Sequence, residues 1–151
     1  ADQAVKFLVV NTMALGESEP LLPPLLQLTR VHNYGAAWSS FSGKTAMLIA
    51  VTAALMIAVA YLLIRRIVRH PLGAAAAVLI LGGGVGNIID RIVHGYVVDM
   101  FDLLLFDYPV FNLADCFVVV GVILGAVYYL WFYEKYDARK KDDASDADGD
   151  K

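Results

Sequence analysis

Three uncharged apolar runs dominate the pattern of hydrophobic and polar positions along the chain. They cover residues 45–64, 72–89 and 116–133, and each is eighteen to twenty residues long. A helix needs about 20 apolar residues to cross a bilayer, and it satisfies its own backbone hydrogen bonds there. We therefore predict three transmembrane helices, of which the third begins a turn or more before residue 116 and occupies about 111–133.

The positions of lysine and arginine predict the orientation of these helices. Three arginines lie in the short link between the first two runs, and four further cations follow the last run: Arg65, Arg66, Arg69, Lys135, Arg139, Lys140 and Lys141. Segments rich in Lys and Arg stay on the cytoplasmic side of a membrane. Residues 1–44 and 90–110 are then predicted to lie outside, and these are the polar, irregular parts of the chain.

An external N-terminus requires a membrane span that carries it there. The sequence starts at Ala1 without a methionine, and the apolar segment Phe7–Val10 is too short to cross a membrane but long enough to continue a helix that begins upstream. We therefore expect a further transmembrane helix before Asp2. The intact protein would then have four spans, with both termini inside.

Composition agrees with a membrane protein. Hydrophobic residues make up 59% of the 151 positions and charged residues 18%, whereas a soluble domain is about 45–50% apolar. The single cysteine excludes an intrachain disulfide and a cysteine-based metal cluster, and nothing indicates a nucleic-acid surface. Five aspartates fall in the last ten residues, so we expect 137–151 to be a disordered cytoplasmic tail after a single membrane-embedded domain at 1–136.

Two local patterns predict finer structure. Apolar and polar residues mix over Leu26–Phe41, which favours short external strands, and the prolines just before this segment argue against a helix there. Gly82/Gly86 and Gly121/Gly125 are pairs of small residues four positions apart, which is typical of closely packed membrane helices.

Polar side chains are dense near the predicted outer face, and two aspartates stand out among them. Asp99 lies in an apolar run, and Asp115 opens the third uncharged stretch. Two carboxylates close together in an apolar setting cannot both ionise easily, so one keeps its proton while the other acts as a base. Such a dyad can activate water and protonate a leaving amine, as peptide hydrolysis requires.

Other roles for the same residues stay open at this point. Asp115 could cap the last helix, and Asp99 could pair with Arg91 or Lys44. The Asp90–Arg91 pair could anchor the second span at the interface, or Arg91 could hold a substrate carbonyl or loop backbone. A cysteine peptidase would need Cys116 with His94, but nothing marks that thiol as activated.

Five motifs, taken in order, resemble those of the bacterial lipoprotein signal peptidases, the type II signal peptidases, which are membrane aspartyl peptidases. The similarity runs from Asp2 to about Tyr133. The motifs are Asp2–Lys6 (DQAVK), Asn33–Trp38 (NYGAAW), Gly83–Arg91 (GGVGNIIDR), His94–Asp99 (HGYVVD) and Phe111–Asp115 (FNLAD). Each motif is moderately specific, and all five in the same order are very specific.

The resemblance implies a fold, a set of roles and an activity. The fold would be an all-α integral membrane protein, a four-helix transmembrane bundle whose first helix is missing here, with a small extracytoplasmic β-cradle and a short external helix. Asp99 and Asp115 would be the catalytic dyad. Four residues would position the substrate and the loops: Asn33, Asn87, Arg91 and Asn112. Three further residues would support this arrangement: Asp2, Lys6 and Asp90.

The implied activity is removal of the signal peptide from diacylglyceryl-modified prolipoproteins, by cleavage before the lipidated cysteine at the outer face of the cytoplasmic membrane. The expected partners are the lipidated substrate, membrane lipids and cyclic-peptide inhibitors of the globomycin kind. No metal or other cofactor is expected. The alternative is a non-enzymatic small transporter or assembly factor whose outer carboxylates bind a cation.

Overall fold

Four α-helices and one three-stranded antiparallel sheet make up the part of the chain that the computed structural model describes, residues 1–138. Two short turns accompany them, a 3-10 turn at Ala37–Ser39 and a π-helical turn at Glu134–Ala138. In chain order the elements are α1 (Asp2–Thr12), β1 (Ser18–Leu22), β2 (Leu26–Asn33), α2 (Thr45–Ile64), α3 (Pro71–His94), β3 (Val97–Leu103) and α4 (Leu113–Trp131).

The three predicted spans correspond to α2, α3 and α4, which are all long and apolar enough to cross a membrane. Helix α2 has the predicted bounds, and α4 begins a turn before residue 116. Helix α3 continues past residue 89 to His94. Asp90 and Arg91 therefore lie on the last turns of this helix, which extends beyond the predicted end of the apolar run at residue 89. The four-helix bundle stays a prediction.

Capping residues explain where α3 and α4 begin. Pro71 occupies the first turn of α3, and the His70 side chain accepts a hydrogen bond from the Leu72 N–H, so the free N–H groups of that turn are partly satisfied. Helix α4 starts with a capping box, in which Asn112 and Asp115 each accept the backbone N–H of the other. Gly95 ends α3 in the left-handed conformation, with φ of 80°.

Helix α3 is the central element, and glycines let its neighbours approach closely. A side chain at Gly83 would collide with the Ala114 carbonyl of α4, and one at Gly121 would lie 2.9 Å from the Ala76 carbonyl of α3. The predicted packing role holds for Gly86 and Gly121. Gly82 faces open space, and Gly125 has only an ordinary contact. The close glycines on α3 are thus Gly73, Gly83, Gly84 and Gly86.

The sheet lies at the end of the helices where α2 begins, α3 ends and α4 begins, with β2 in the middle of the sheet. Strand β2 confirms the predicted strand over the first part of Leu26–Phe41, while the second part forms a loop with the 3-10 turn. Val9 and Met13 of α1 pack with Val98 and Met100 of β3 in a small core. This packing fixes β3 against α1, and Val31 of β2 pairs with Asp99 of β3.

The chain after α4 folds back toward the start of α3. Asp137 is 8% exposed and accepts hydrogen bonds from the backbone N–H groups of Arg69 and His70 and from the Tyr128 hydroxyl. Asp137 therefore belongs to the packed part of the chain, although the sequence interpretation began a disordered tail there. The remainder of that predicted tail, 139–151, lies outside the described residues.

Candidate active site

The two predicted aspartates line one cavity of about 430 Å³ between the sheet and the ends of α2, α3 and α4 that lie nearest to it. Asp99 comes from β3 and Asp115 from the first turn of α4. Sixteen residues separate them in sequence, and the return of the chain through an isolated bridge between Phe101 and Phe111 brings them together. The predicted convergence of the two carboxylates is therefore found.

Asp99 is almost fully buried, with 2% of its surface exposed. One carboxylate oxygen accepts from Asn112 Nδ2 at 2.7 Å, and the other accepts from Asn33 Nδ2 at 2.9 Å. Burial raises the pKa of Asp99 to about 6; the charge of Asp115 adds to this rise, and the hydrogen bonds from Asn33 and Asn112 oppose it. Asp99 does not form the ion pair with Arg91 or Lys44 that the sequence left open.

Asp115 combines the two roles that the sequence presented as alternatives. Its Oδ2 accepts the Asn112 backbone N–H at 3.1 Å, which is the capping interaction. Its Oδ1 accepts from Asn87 Nδ2 at 2.8 Å. A carboxylate has two oxygens, so Asp115 caps α4 with one of them while the other belongs to the polar group that lines the cavity.

Asn112 connects the two carboxylates directly. It is completely buried, its Nδ2 donates to both Asp99 Oδ1 and Asn87 Oδ1, and its Oδ1 accepts the Asp115 N–H. Asn33 is oriented in a similar way, because its Oδ1 accepts the Gly35 N–H and its amide nitrogen then faces Asp99. The asparagines therefore fix the positions of both acidic groups.

Arg91 holds a loop at the cavity mouth. Its guanidinium donates to the Gly35 carbonyl at 2.8 Å and reaches the Asn87 carbonyl at 3.4 Å. Of the roles left open by the sequence, this contact corresponds to holding loop backbone in place. Trp38 and Tyr108 meet edge to face across the same mouth, with ring centroids 5.9 Å apart.

Lys6 forms a buried ion-pair cluster behind the asparagines. Its ammonium lies 2.9 Å from Asp2 Oδ2 and 2.9 Å from Asp90 Oδ2, and all three residues are at most 5% exposed. Asp90 is therefore a buried partner of Lys6 and does not act as an interfacial anchor. Asp2 also accepts the Ala114 N–H at 2.9 Å, which ties α1 to the start of α4.

Gln3 is a member of this cluster that the sequence interpretation did not single out. Its Nε2 donates to Asp90 Oδ1 at 2.7 Å and to the Gly86 carbonyl at 3.1 Å. Its place inside the Asp2–Lys6 motif was the available signal. Cys116 and His94, the pair that a cysteine peptidase would need, are not hydrogen-bonded to each other in residues 1–138, and His94 stacks near Tyr96.

The cavity is polar where Asp99, Asp115 and the asparagines line it, and apolar along the walls formed by α2 and α3. Leu48, Leu55 and Met56 of α2 and Ile80 of α3 line the deeper part. Ile80 lies seven residues, or about 10 Å along the helix, below Asn87. The arrangement places the buried Asp99 and the half-buried Asp115 at the end of an apolar cleft, where they could act as acid and base on a polar bond of a largely apolar molecule.

Comparison with known proteins identifies relatives across most of the chain. The family model described as signal peptidase (SPase) II matches residues 1–131. The lipoprotein signal peptidase of Enterococcus faecalis is 38% identical over 129 residues, which cover 85% of this chain and 80% of the relative. That of Brevibacillus brevis is 41% identical over 121 residues, which cover 80% of this chain and 81% of the relative.

The fold is also similar to that of solved membrane enzymes. A bacterial membrane enzyme determined by the in meso method at 2.3 Å resolution superposes with a TM-score of 0.81 at 36% identity, and the match covers 85% of this chain and 80% of that one. A second such structure, at 1.9 Å resolution, has a TM-score of 0.79 at 35% identity and covers 87% of this chain and 86% of that one.

Proposed function

The chain belongs to the signal peptidase II family and removes signal peptides from prolipoproteins, and we propose that Asp99 and Asp115 are the catalytic dyad of this membrane peptidase. The observation that carries the proposal is that both carboxylates line one cavity and are connected through Asn112. The alternative of a transporter or assembly factor is not favoured, because the relatives in the comparison are peptidases.

The proposed reaction is hydrolysis by an activated water molecule. One carboxylate takes a proton from water as the oxygen attacks the scissile carbonyl, and the other donates a proton to the leaving amine. Burial raises the pKa of Asp99, which favours a shared proton on the dyad. Because the two groups interact, the dyad titrates as a unit.

The polar residues around the dyad have supporting roles in this proposal. Asn87 and Asn112 keep the carboxylates in place by donating to them, and Asn33 does the same for Asp99. Arg91 keeps the loop at Gly35 over the substrate. Asp2, Lys6 and Asp90 support this arrangement from behind.

The apolar part of the cavity supports a lipid-soluble substrate. A signal helix and a diacylglyceryl group both reside in the bilayer, and the cleft between α2 and α4 offers them an apolar wall. We propose that cleavage occurs before the lipidated cysteine, on the outer side of the cytoplasmic membrane. Cyclic-peptide inhibitors of the globomycin kind would occupy the same cavity.

Replacement of each aspartate by asparagine tests the dyad. Asp99→Asn and Asp115→Asn should each reduce the rate of cleavage of a diacylglyceryl-modified prolipoprotein by at least about 10³-fold. An amide cannot exchange the proton that acid–base catalysis requires. The measurement is the rate of signal-peptide release by the purified protein in lipid or detergent.

Asp102→Asn is a matched control. Asp102 lies on the same strand, but its carboxylate bonds to Gln27 and Thr29 away from the cavity. This variant should retain nearly wild-type cleavage. Full activity in either dyad variant would refute the assignment, and carboxylate-dependent ion uptake without cleavage would support the transporter alternative.

A further inference from the structure

Within residues 1–138, the side chain of Asn87 links Lys6 to Asp115 by hydrogen bonds. The ammonium donates to Asn87 Oδ1 at 3.1 Å, and the Nδ2 of the same amide donates to Asp115 Oδ1 at 2.8 Å. A lysine ammonium has three donors and no acceptor, so the amide oxygen must face Lys6. The nitrogen of Asn87 is then directed at Asp115.

The position of Lys6 is itself determined by two buried carboxylates. Asp2 and Asp90 are both 2.9 Å from the ammonium, and together with Asn87 they use all three of its donors. Breaking a buried ion pair by removing one partner leaves a charge without compensation, so the cluster resists rearrangement. Because the ammonium is held in place, it also restrains the position of the Asn87 amide that it binds.

Asn87 Oδ1 also accepts from Asn112 Nδ2 at 3.0 Å. Asn112 alone would therefore keep the oxygen on the correct side of the amide. What Lys6 adds is a positive charge, which polarises the amide and strengthens its donation to Asp115, and a fixed contact that prevents the amide from moving. The nearby cation Arg91 does not replace this contact, because it bonds to backbone carbonyls.

The geometry points to Lys6 as a positioning residue for the dyad, acting on Asp115 through the side chain of Asn87. This inference rests on the proposed function of Asp99 and Asp115. In the reaction, Lys6 neither touches the substrate nor exchanges a proton. It stabilises the charged form of the site and so sets the pH range in which one carboxylate can act as base.

The test is the pH profile of kcat/KM for Lys6→Met. Loss of the contact should weaken the stabilisation of the charged carboxylates and move the acidic limb of the profile upward by about one pH unit. The kcat at the optimum should fall about tenfold, with a smaller change in KM. If the role of Lys6 were merely structural, Lys6→Met would lower the yield or the thermal stability of the protein. It would then reduce kcat/KM by the same factor at every pH, without shifting the acidic limb.

Two further variants separate positioning from folding. Gln3→Ala removes another hydrogen-bonding side chain of the same cluster without touching Asn87. The pH dependence of kcat/KM of this variant should therefore match that of the wild type. Lys6→Met combined with Asp90→Asn keeps the net charge of the three residues unchanged, because one cation and one anion are lost together. This double variant removes the Asn87 contact at constant net charge of the cluster, and it should show the same shift as Lys6→Met.

A spectroscopic measurement keeps the result independent of turnover. The charge of Lys6 lowers the pKa of Asp99, so the carboxyl C=O stretch of Asp99, identified by its loss in Asp99→Asn, should titrate at a higher pH in Lys6→Met than in wild type. If the wild-type protein cleaves, and neither the band nor the pH profile moves in Lys6→Met, the inference is overturned and the proposed function stands. A wild-type protein that does not cleave overturns the proposed function, while the band still decides the role of Lys6.

Discussion

At the residue scale, the site is built from amides that have only one workable orientation. The carbonyl oxygens of Asn33, Asn87 and Asn112 each accept from an obligate donor, and the amide nitrogen of each then faces an acidic group. Obligate donors leave no choice of orientation, so the NH₂ groups are pre-arranged before any substrate arrives. Pre-arranged donors stabilise charge in the site without reorganisation during the reaction.

The pH dependence of activity follows from the burial of Asp99. Its pKa of about 6 means that the group is protonated below that pH and charged above it. The dyad needs one proton between two carboxylates, so kcat/KM should decrease as the pH rises through about 6 and above. The measurement is initial cleavage rate at low substrate concentration in buffers of constant ionic strength. A flat profile from about pH 5 to 9 would contradict this assignment.

The sequence predicted the acidic residues but not their geometry. Asp99 and Asp115 were singled out because charged groups in apolar surroundings are costly. Their convergence depends on strand pairing and on the return of the chain at Phe111, and neither is encoded by local composition. The same limit applies to the ion pairs of Lys6, whose partner Asp90 is 84 positions away in the sequence.

At the element scale, the helices were predictable and β3 was not. Uninterrupted apolar runs identify α2, α3 and α4 by length alone. A half-buried strand is recognised by alternation of apolar and polar residues, but Val97, Val98, Asp99 and Met100 are all buried. Helix α1 covers one face of β3, and the cavity lined by Asp99 lies at the other. Alternation was therefore absent, and the strand could not be recognised from its pattern.

Adjacent glycines on α3 provide a test of the packing between α3 and α4. Gly83→Ala should lower the thermal stability of the protein, because its Cβ would collide with the Ala114 carbonyl and a methyl group of Val118. Overpacking of this kind costs about 1–3 kcal/mol. The measurement is thermal unfolding in detergent micelles.

Gly82→Ala is the control for helix propensity. Gly82 faces open space, so the same substitution one residue earlier meets no atom within 4 Å. Alanine is favoured over glycine in a helix by up to about 1 kcal/mol, and the stability of this variant should be unchanged or higher. Equal destabilisation of both variants would show that close contact at Gly83 is not the cause.

At the scale of the whole molecule, the cavity is bounded by elements that differ in how tightly they are packed. Helix α3 packs on both α2 and α4, and none of the residues of α2 is fully buried. The apolar wall that α2 contributes is therefore the least constrained side of the cleft. The sequence predicted the span but not this difference: α2 is the most apolar of the three helices, and an apolar surface can face lipid or protein equally well.

A bulky residue on the α2 wall should obstruct the substrate without touching the dyad. Thr52 lines the cavity and Val51 does not. Thr52→Trp should lower kcat/KM by about tenfold or more, mainly through KM, because the added ring occupies space that an apolar ligand would fill. The comparison variant Val51→Trp places the same ring on a side chain that is 53% exposed. Similar losses in both variants would argue against the cleft as the substrate path.

The bonds of Asp137 have a mechanical consequence for the reaction cycle. They fasten the far end of α4 to the start of α3, while the bonds of Asn87 on α3 to Asp115 and Asn112 secure the opposite end of the pair. A helix pair restrained at both extremities cannot splay apart when a lipid-anchored chain enters. Entry and release must then be accommodated by displacement of α2 and of the loop around Trp38, so variants that loosen those two parts should change product release before they change bond cleavage.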